Sequence, residues 1–246
     1  EIMPNWIHPI TKEPIDVLIN IKENLVLLSE NEHITQNDFS IDTLVTLSNK
    51  NRFKISGSDR DIEQIAKRHN IRVFHVSDYT LEKPEIKKFF EDECFSIGLC
   101  VGWQRLIPEY ILTCFEYGIF GWHGSGFRFP NGRGRSPLNW TIRLGMKKVY
   151  HNFFKYSAGI DDGDVVETET FTIENEDYIK HVQTKALNHI NDSACRLLAK
   201  IDNNEKIILI KQTKQPFIVF PKLTESSGHL HPNLIYAEEA VNIARS

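Results

Sequence analysis

The chain has 246 residues, of which 29 are basic, 33 acidic and 41% apolar, so disordered and fibrous proteins are excluded and one large or two small globular domains are expected. The four cysteines form neither a Cys-x-x-Cys pair nor a Cys/His cluster at metal spacing, which argues against structural zinc and for a reducing compartment. Because no apolar run reaches about 18 residues and no charged-then-apolar leader opens the sequence, we expect a cytoplasmic protein without a membrane span.

The first hundred residues predict strands that alternate with helices. The predicted strands cover 17–19, 25–28, 43–47, 71–76 and 94–101, and the predicted helices cover 61–70 and 83–93. The strand at 94–101 is apolar almost throughout, as in a parallel strand covered on both faces. This alternation predicts an α/β fold, with an open, mostly parallel Rossmann-like sheet and helices on both faces. Such sheets bind ligands beyond the carboxyl ends of their strands.

The rest of the chain predicts further strands and helices around a long loop. The predicted helices cover 108–117, 137–144 and 177–201, the strands 118–122, 148–156 and 165–172, and the loop 123–136. The last two strands should be antiparallel across the turn at 159–163. We expect a catalytic domain over 1–205, with an atypical segment at 1–40, and a C-terminal extension over 206–246.

The loop that begins at His123 has the composition of a ligand-binding segment. Residues 123–137 contain four glycines and two prolines, which are costly to order unless the backbone must closely approach something. From Arg128 to Lys155 there are seven Lys and Arg residues and no acidic residue, in a chain of net charge −4. Guanidinium groups beside glycine amides suit a phosphate, and a solvated basic surface loop is the alternative.

The segment Gly159-Ile-Asp-Asp-Gly-Asp164 holds three carboxylates at a strand boundary. It lacks the full set of oxygen ligands that a calcium loop needs, and a plain Asp/Gly turn is the alternative. The sheet topology could bring one of these carboxylates to the same edge as His123. A histidine oriented by an aspartate can move a proton near neutral pH, so this pair is a candidate catalytic site.

Several segments together resemble the folate-dependent formyltransferases, which include glycinamide ribonucleotide, methionyl-tRNA and sugar-nucleotide formyltransferases. The resemblance extends over roughly residues 62–246 and is carried by the order and spacing of Val101-Gly-Trp-Gln-Arg-Leu-Ile-Pro108, His123-Gly-Ser125, Arg133-Gly-Arg-Ser-Pro-Leu-Asn-Trp140, Gly159-Ile-Asp-Asp-Gly-Asp164 and Phe220-Pro-Lys-Leu-Thr224. It implies that His123 and Asp161 work at the formyl transfer and that no metal is needed.

The same resemblance assigns binding segments. The pterin of 10-formyltetrahydrofolate would be held mainly by the backbone of two segments, made of Gln104, Arg105, Leu106 and Ile107 and of Tyr156, Ser157, Ala158 and Gly159. On the substrate side we expect Gly121 and Ser125 of the His123 segment, together with Arg133 and Arg135, which the charge of the basic loop assigns to the phosphates.

Gly121 departs from the family motif Asn-x-His-x-Ser, because it stands at the Asn position. That Asn is expected to stabilise the oxyanion of the transferring formyl group, and the loss of one such donor typically costs about 10² to 10³ in rate. Either His123 and a backbone amide suffice, or the chain does different work. The space beside Gly121 is either vacant or filled by a bulky neighbour.

These residues and the resemblance together predict an N-formyltransferase that acts on an amino sugar, with 10-formyltetrahydrofolate as the donor. We expect the amino sugar to be carried on a nucleotide. A methionyl-tRNA formyltransferase is the rival enzyme, but it should be more basic than a chain of pI about 6.2. A non-catalytic, ligand-binding relative is the rival that Gly121 favours. Membrane and nucleic-acid partners are not expected, and a homodimer is compatible with the sequence.

Overall fold

The computed structural model describes residues 24–30, 39–47, 66–67, 70–77, 80–93, 95–101, 103, 105–214, 217–230 and 235–246. In chain order the elements are β1 (Asn24–Glu30), β2 (Phe39–Leu47), β3 (Arg72–Val76), α1 (Pro84–Asp92), β4 (Phe95–Val101), α2 (Glu109–Leu112), β5 (Phe115–Ser125), β6 (Arg133–Gly134), α3 (Pro137–Arg143), β7 (Lys148–Lys155), β8 (Val165–Thr172), α4 (Ile179–Asp202), β9 (Val219–Phe220), a 3₁₀ helix (Glu225–Gly228) and α5 (Ala237–Arg245). The strand predicted at 17–19 and most of the helix predicted at 61–70 lie outside the described residues.

One seven-stranded sheet, in the order β3-β2-β1-β4-β5-β7-β8, forms the centre of the fold. β2 pairs with β3 and β4 with β5 in parallel, whereas β1 and β7 are antiparallel to both of their neighbours. Five of the seven strands therefore run in one direction. The short connection between β7 and β8 cannot hold a crossover, which explains why that pair is antiparallel. The predicted open α/β sheet is confirmed.

Helices cover both faces of the sheet, as predicted. Every residue of β4 is buried, and its successive side chains enter two different cores. Leu99 packs with Leu197 of α4 on one face, and Cys100 packs with Phe90 of α1 on the other. This alternation follows from the two-residue period of a strand. The apolar run at 94–101 thus predicted a strand covered on both sides.

The region around the predicted loop differs from expectation. The helix predicted at 108–117 ends at Leu112, because Phe115 already begins β5. β5 also continues past Trp122, so that His123 pairs with Asn152 and Ser125 with Tyr150 on β7. The predicted loop therefore begins after Ser125 and not at residue 123, since pairing with β7 keeps residues 123–125 extended. Helices 137–144 and 177–201 and strands 148–156 and 165–172 are confirmed within about two residues.

After α4, the chain returns to contact β8 and β6. Ile210 forms a bridge with Val165, and β9 pairs in parallel with β6. α5 then packs against α3, and Arg245 Nε donates to the Asp177 carbonyl at 2.8 Å. The division at residue 205 stays a prediction. Of the helices in the described part of the chain, none is both long and apolar enough to cross a membrane.

Candidate active site

His123 is the centre of the candidate site. It lies near the end of β5 with 7% of its surface exposed. Its Nδ1 is 3.3 Å from Asp161 Oδ2, and its Nε2 is 2.7 Å from the Gly132 carbonyl oxygen. Because a carbonyl oxygen only accepts, Nε2 carries the hydrogen in that contact. The ring of Phe129 lies 5.4 Å from the imidazole. The sheet thus fixes the backbone of His123, and the following loop fixes its ring.

Asp161 is held in the turn that follows β7. Its φ of +47° lies in the left-handed region, which Asp adopts more readily than most residues. Oδ2 accepts the Gly134 N–H at 2.9 Å, so β6 orients the carboxylate towards His123. Gln212 Nε2 donates to the carbonyls of Asp161 and Gly163, at 2.9 and 2.8 Å. The structure therefore joins His123 and Asp161, as the sequence predicts, in the geometry of an oriented proton-transfer pair.

Gln212 is a site residue that the sequence analysis missed. It lies in the extended chain after α4, where no motif marks it. Its Oε1 accepts from Arg133 Nη2 at 2.6 Å, and the Arg133 guanidinium carbon lies 4.1 Å from the centre of the Phe217 ring. Arg133 is only 4% exposed. This placement favours a role in positioning the Asp161 turn, and the predicted phosphate contact of Arg133 stays a prediction.

The other predicted substrate residues lie in different surroundings. Ser125 is fully buried, and its Oγ accepts the Phe127 N–H at 3.0 Å. A Cβ at Gly132, whose φ is +77°, would lie 1.9 Å from that oxygen, so the loop closes tightly over Ser125. Arg135 is half-buried, and its backbone N–H donates to the Phe220 carbonyl at 2.9 Å. Of the two predicted arginines, Arg135 is the more accessible.

The space beside Gly121 is filled. A Cβ built there would lie 2.4 Å from Tyr156 Cε2 and 2.9 Å from the Cys100 carbonyl oxygen. The backbone N–H of Tyr156 donates to the Ile119 carbonyl at 2.7 Å, and its ring stacks on Phe154 with centres 5.1 Å apart. Of the two explanations that the sequence left open, a bulky neighbour is the one that the structure supports.

The two predicted pterin segments meet at Cys100. Burial raises the pKa of the Cys100 thiol to about 11, although the neighbouring Tyr156 side chain and Trp103 backbone act to lower that pKa. Leu106 is 51% exposed, whereas Ile107 belongs to the core.

The remaining residues of the two segments lie at the surface or outside the described residues. Arg105 and Ala158 are exposed, Ser157 Oγ donates to Asp162 Oδ1, and Gly159 approaches the Asp162 side chain, whereas Gln104 is not among the described residues. An exposed apolar side chain beside turn backbone is suited to hold a flat, polar-edged ring such as a pterin. No cluster of three or more His, Cys, Asp or Glu side chains in the described ranges could hold a metal ion.

Sequence comparison relates the chain to known enzymes, although no protein-family model matches it. The methionyl-tRNA formyltransferase of Rickettsia felis is 29% identical over 170 residues, which are 69% of this chain and 54% of that protein. The chain thus spans about half the length of the curated relatives that it matches.

Solved structures share its fold. The methionyl-tRNA formyltransferase of Clostridium thermocellum has a TM-score of 0.56 and 21% identity, and the match covers 82% of this chain and 80% of that one. The N-formyltransferase of Helicobacter canadensis, solved with folinic acid and dTDP-3-aminofucose, has a TM-score of 0.55 and 16% identity over 82% of this chain and 69% of that one. The chain is thus similar in sequence to methionyl-tRNA formyltransferases and similar in fold to solved formyltransferases, as its motifs predict.

Proposed function

We propose that the chain is an N-formyltransferase that moves the formyl group of 10-formyltetrahydrofolate to the amino group of a nucleotide-linked amino sugar. The observation that carries this proposal is the contact of 3.3 Å between His123 Nδ1 and Asp161 Oδ2, in a chain whose relatives are formyltransferases. A buried imidazole that is oriented by a carboxylate suits a reaction in which a proton must leave an attacking amine.

Formyl transfer requires one bond to form, one bond to break and one proton to move. The amine nitrogen forms a bond to the formyl carbon, and the carbonyl π electrons move to the oxygen, which becomes an oxyanion. The amine loses a proton, the bond between the formyl carbon and N10 breaks, and N10 gains a proton. His123 transfers the proton from the amine towards N10, and Asp161 fixes the orientation of the imidazole ring. Since Nε2 now donates to the Gly132 carbonyl, the reacting group must replace this carbonyl for Nε2 to take part.

The remaining predicted residues complete the proposal. Residues 104–107 and 156–159 would hold the pterin, and Arg135 would contact the phosphates of the nucleotide. The domain boundary at residue 205 and the homodimer remain part of this proposal. A cytoplasmic location agrees with the three free cysteines among the described residues, Cys100, Cys114 and Cys195.

Two acceptors compete. The amino sugar is supported by the ligand of the Helicobacter canadensis enzyme and by the net charge of −4, since nucleic-acid binding favours a basic surface. Methionyl-tRNA is supported by the names of the relatives found by sequence. Both acceptors present a primary amine, so the same pair of His123 and Asp161 would serve either reaction.

The test is a direct transfer assay on the whole chain. The purified protein is incubated with 10-formyltetrahydrofolate and either dTDP-3-aminofucose or methionyl-tRNA, and the formylated product is measured by mass spectrometry. Formylation of the sugar supports the proposal, and formylation of the tRNA alone replaces it with the rival enzyme. Binding of folinic acid without transfer to either acceptor would identify a ligand-binding relative and contradict the proposal.

A further inference from the structure

The oxyanion of the transferring formyl group needs a hydrogen-bond donor, and the site lacks the side chain expected to supply it. Gly121 contributes no donor, and the Gly134 N–H near His123 already donates to Asp161. Gly121 and His123 are alternate residues of β5, so their side-chain positions lie on the same face of the sheet. A donor that acts on the substrate beside His123 should therefore lie close to Gly121.

Tyr156 places a hydroxyl group at that position. A Cβ at Gly121 would lie 3.2 Å from Tyr156 Cζ, the ring carbon that bears the hydroxyl oxygen. The hydroxyl-bearing carbon of the ring thus lies next to the point from which an amide side chain at position 121 would extend. Tyr156 is half-buried as a whole residue, whereas its hydroxyl group is buried and lies near enough to Asp161 to interact with it electrostatically. We propose that the Tyr156 hydroxyl donates the hydrogen bond that stabilises this oxyanion, an inference that rests on the proposed function.

The ring is held firmly enough to preorganise a donor. The Tyr156 backbone N–H donates to Ile119, and the ring stacks on Phe154 at an angle of 18°. Preorganised donors are effective because they need no reorganisation when charge develops. The phenol therefore has a fixed direction before the substrate binds.

The present partner of the hydroxyl is easily exchanged. The Tyr156 hydroxyl lies beside the Cys100 thiol, and a neutral sulfur is a weak acceptor. A developing oxyanion is a much stronger acceptor, since charge-assisted hydrogen bonds are about twice as strong as neutral ones. Burial, followed by the nearby Cys100, raises the pKa of Tyr156 well above its usual value, so the phenol keeps its proton near neutral pH. The group is thus available as a neutral donor.

Tyr156→Phe tests this role, because it keeps the ring against Gly121 and removes only the hydroxyl. In the transfer assay with the acceptor that the wild-type chain uses, kcat should fall by about 10² to 10³-fold. The KM values for both substrates and the thermal stability should stay near those of the wild-type protein. A purely structural hydroxyl would instead change stability and leave kcat in place.

Cys100→Ala is the matched control. It removes the thiol that lies beside the hydroxyl and leaves the phenol intact, so kcat should fall much less than in Tyr156→Phe. Equal losses in the two variants would show that the contact between the hydroxyl and the thiol is what matters and would overturn the proposal. Wild-type kcat in Tyr156→Phe would also overturn it while the proposed function stands. A wild-type chain that transfers no formyl group overturns both, before any variant is measured.

Discussion

Gly121→Ala adds one methyl group at the point where β5 meets the ring of Tyr156. The new Cβ would lie 2.4 Å from Tyr156 Cε2 and 2.9 Å from the Cys100 carbonyl oxygen, whereas ordinary van der Waals contacts begin near 3.4 Å. The overlap with the ring is therefore about 1 Å. Neither neighbour can yield cheaply, because the ring stacks on Phe154 and the carbonyl belongs to β4. We expect the ring to tilt and the packing around it to loosen.

The expected cost follows from overpacking in well-packed interiors. Such insertions typically destabilise by about 1–3 kcal/mol. For a chain of this size each kcal/mol lowers the melting temperature by about 2–4 °C, so the loss should be about 2–12 °C. Gly121→Asn, which restores the residue of the family motif, should cost more and should lower kcat, since its amide would compete with Tyr156 for the same space.

Gly228→Ala is the matched control, because a Cβ at Gly228 would have no neighbour within 4 Å. Thermal melts and steady-state kinetics on the three variants separate the outcomes. Gly228→Ala should keep the melting temperature and kcat of the wild-type protein. If Gly121→Ala also keeps both values, or if Gly121→Asn raises kcat, the space beside Gly121 is vacant and the placement of Tyr156 is refuted.

Three further predictions concern the proton pair, the arginines and a buried histidine. His123→Ala and Asp161→Asn should each lower kcat by at least about 10²-fold with the fold retained by circular dichroism, and near-normal rates in both would remove the mechanism. Arg135→Gln should raise KM for the nucleotide sugar more than for the folate, and equal effects on the two KM values would refute the phosphate contact of Arg135. Arg133→Gln should mainly lower the melting temperature, because Arg133 is 4% exposed. Burial lowers the pKa of His151 to about 3 from 6.5. Below pH 6.5 this imidazole is therefore protonated in the unfolded chain but stays neutral in the folded protein. The free energy of unfolding should then fall with falling pH by up to about 1.4 kcal/mol per unit, and denaturant titrations of His151→Leu should show a flatter fall.

The sequence predicted the elements whose patterns are local. The spacing of Val182, Ala186 and Ile190 sets one apolar stripe, and all three are buried on α4. β4 was predictable for the same reason, because an unbroken apolar run of strand length indicates burial on both faces. The pairing of His123 with Asp161 was predicted, but for an incomplete reason: His123 lies within β5, and the turn after the antiparallel strand β7 brings Asp161 to it.

The remaining features depend on contacts between distant segments. β5 continues through His123 only because β7 supplies its hydrogen-bond partners, and glycines on either side conceal a strand signal. Gln212 stands in a polar stretch without periodicity, and its role arises from the return of the chain past the Asp161 turn. Arg133 has the sequence signature of an anion-binding loop, yet β6 places it in the interior. Charge patterning gives the composition of a segment and does not give the direction of its side chains.

Gly121 and Tyr156 illustrate why a departure from a motif must be judged in three dimensions. In one dimension, the exchange of an amide for a glycine is a lost donor, and it favours a protein that has lost its activity. The register of β5 on β7 pairs Gly121 with Phe154, and Tyr156 follows two residues later with its ring beside the glycine. A side chain at position 121 and the ring of Tyr156 exclude each other sterically, so glycine is the residue that admits the ring. In the proposed site the donor therefore comes from Tyr156, which follows β7, and not from position 121 of β5. Positions 121 and 156 must change together, because a larger residue at 121 alone clashes with the ring and a smaller residue at 156 alone leaves a cavity.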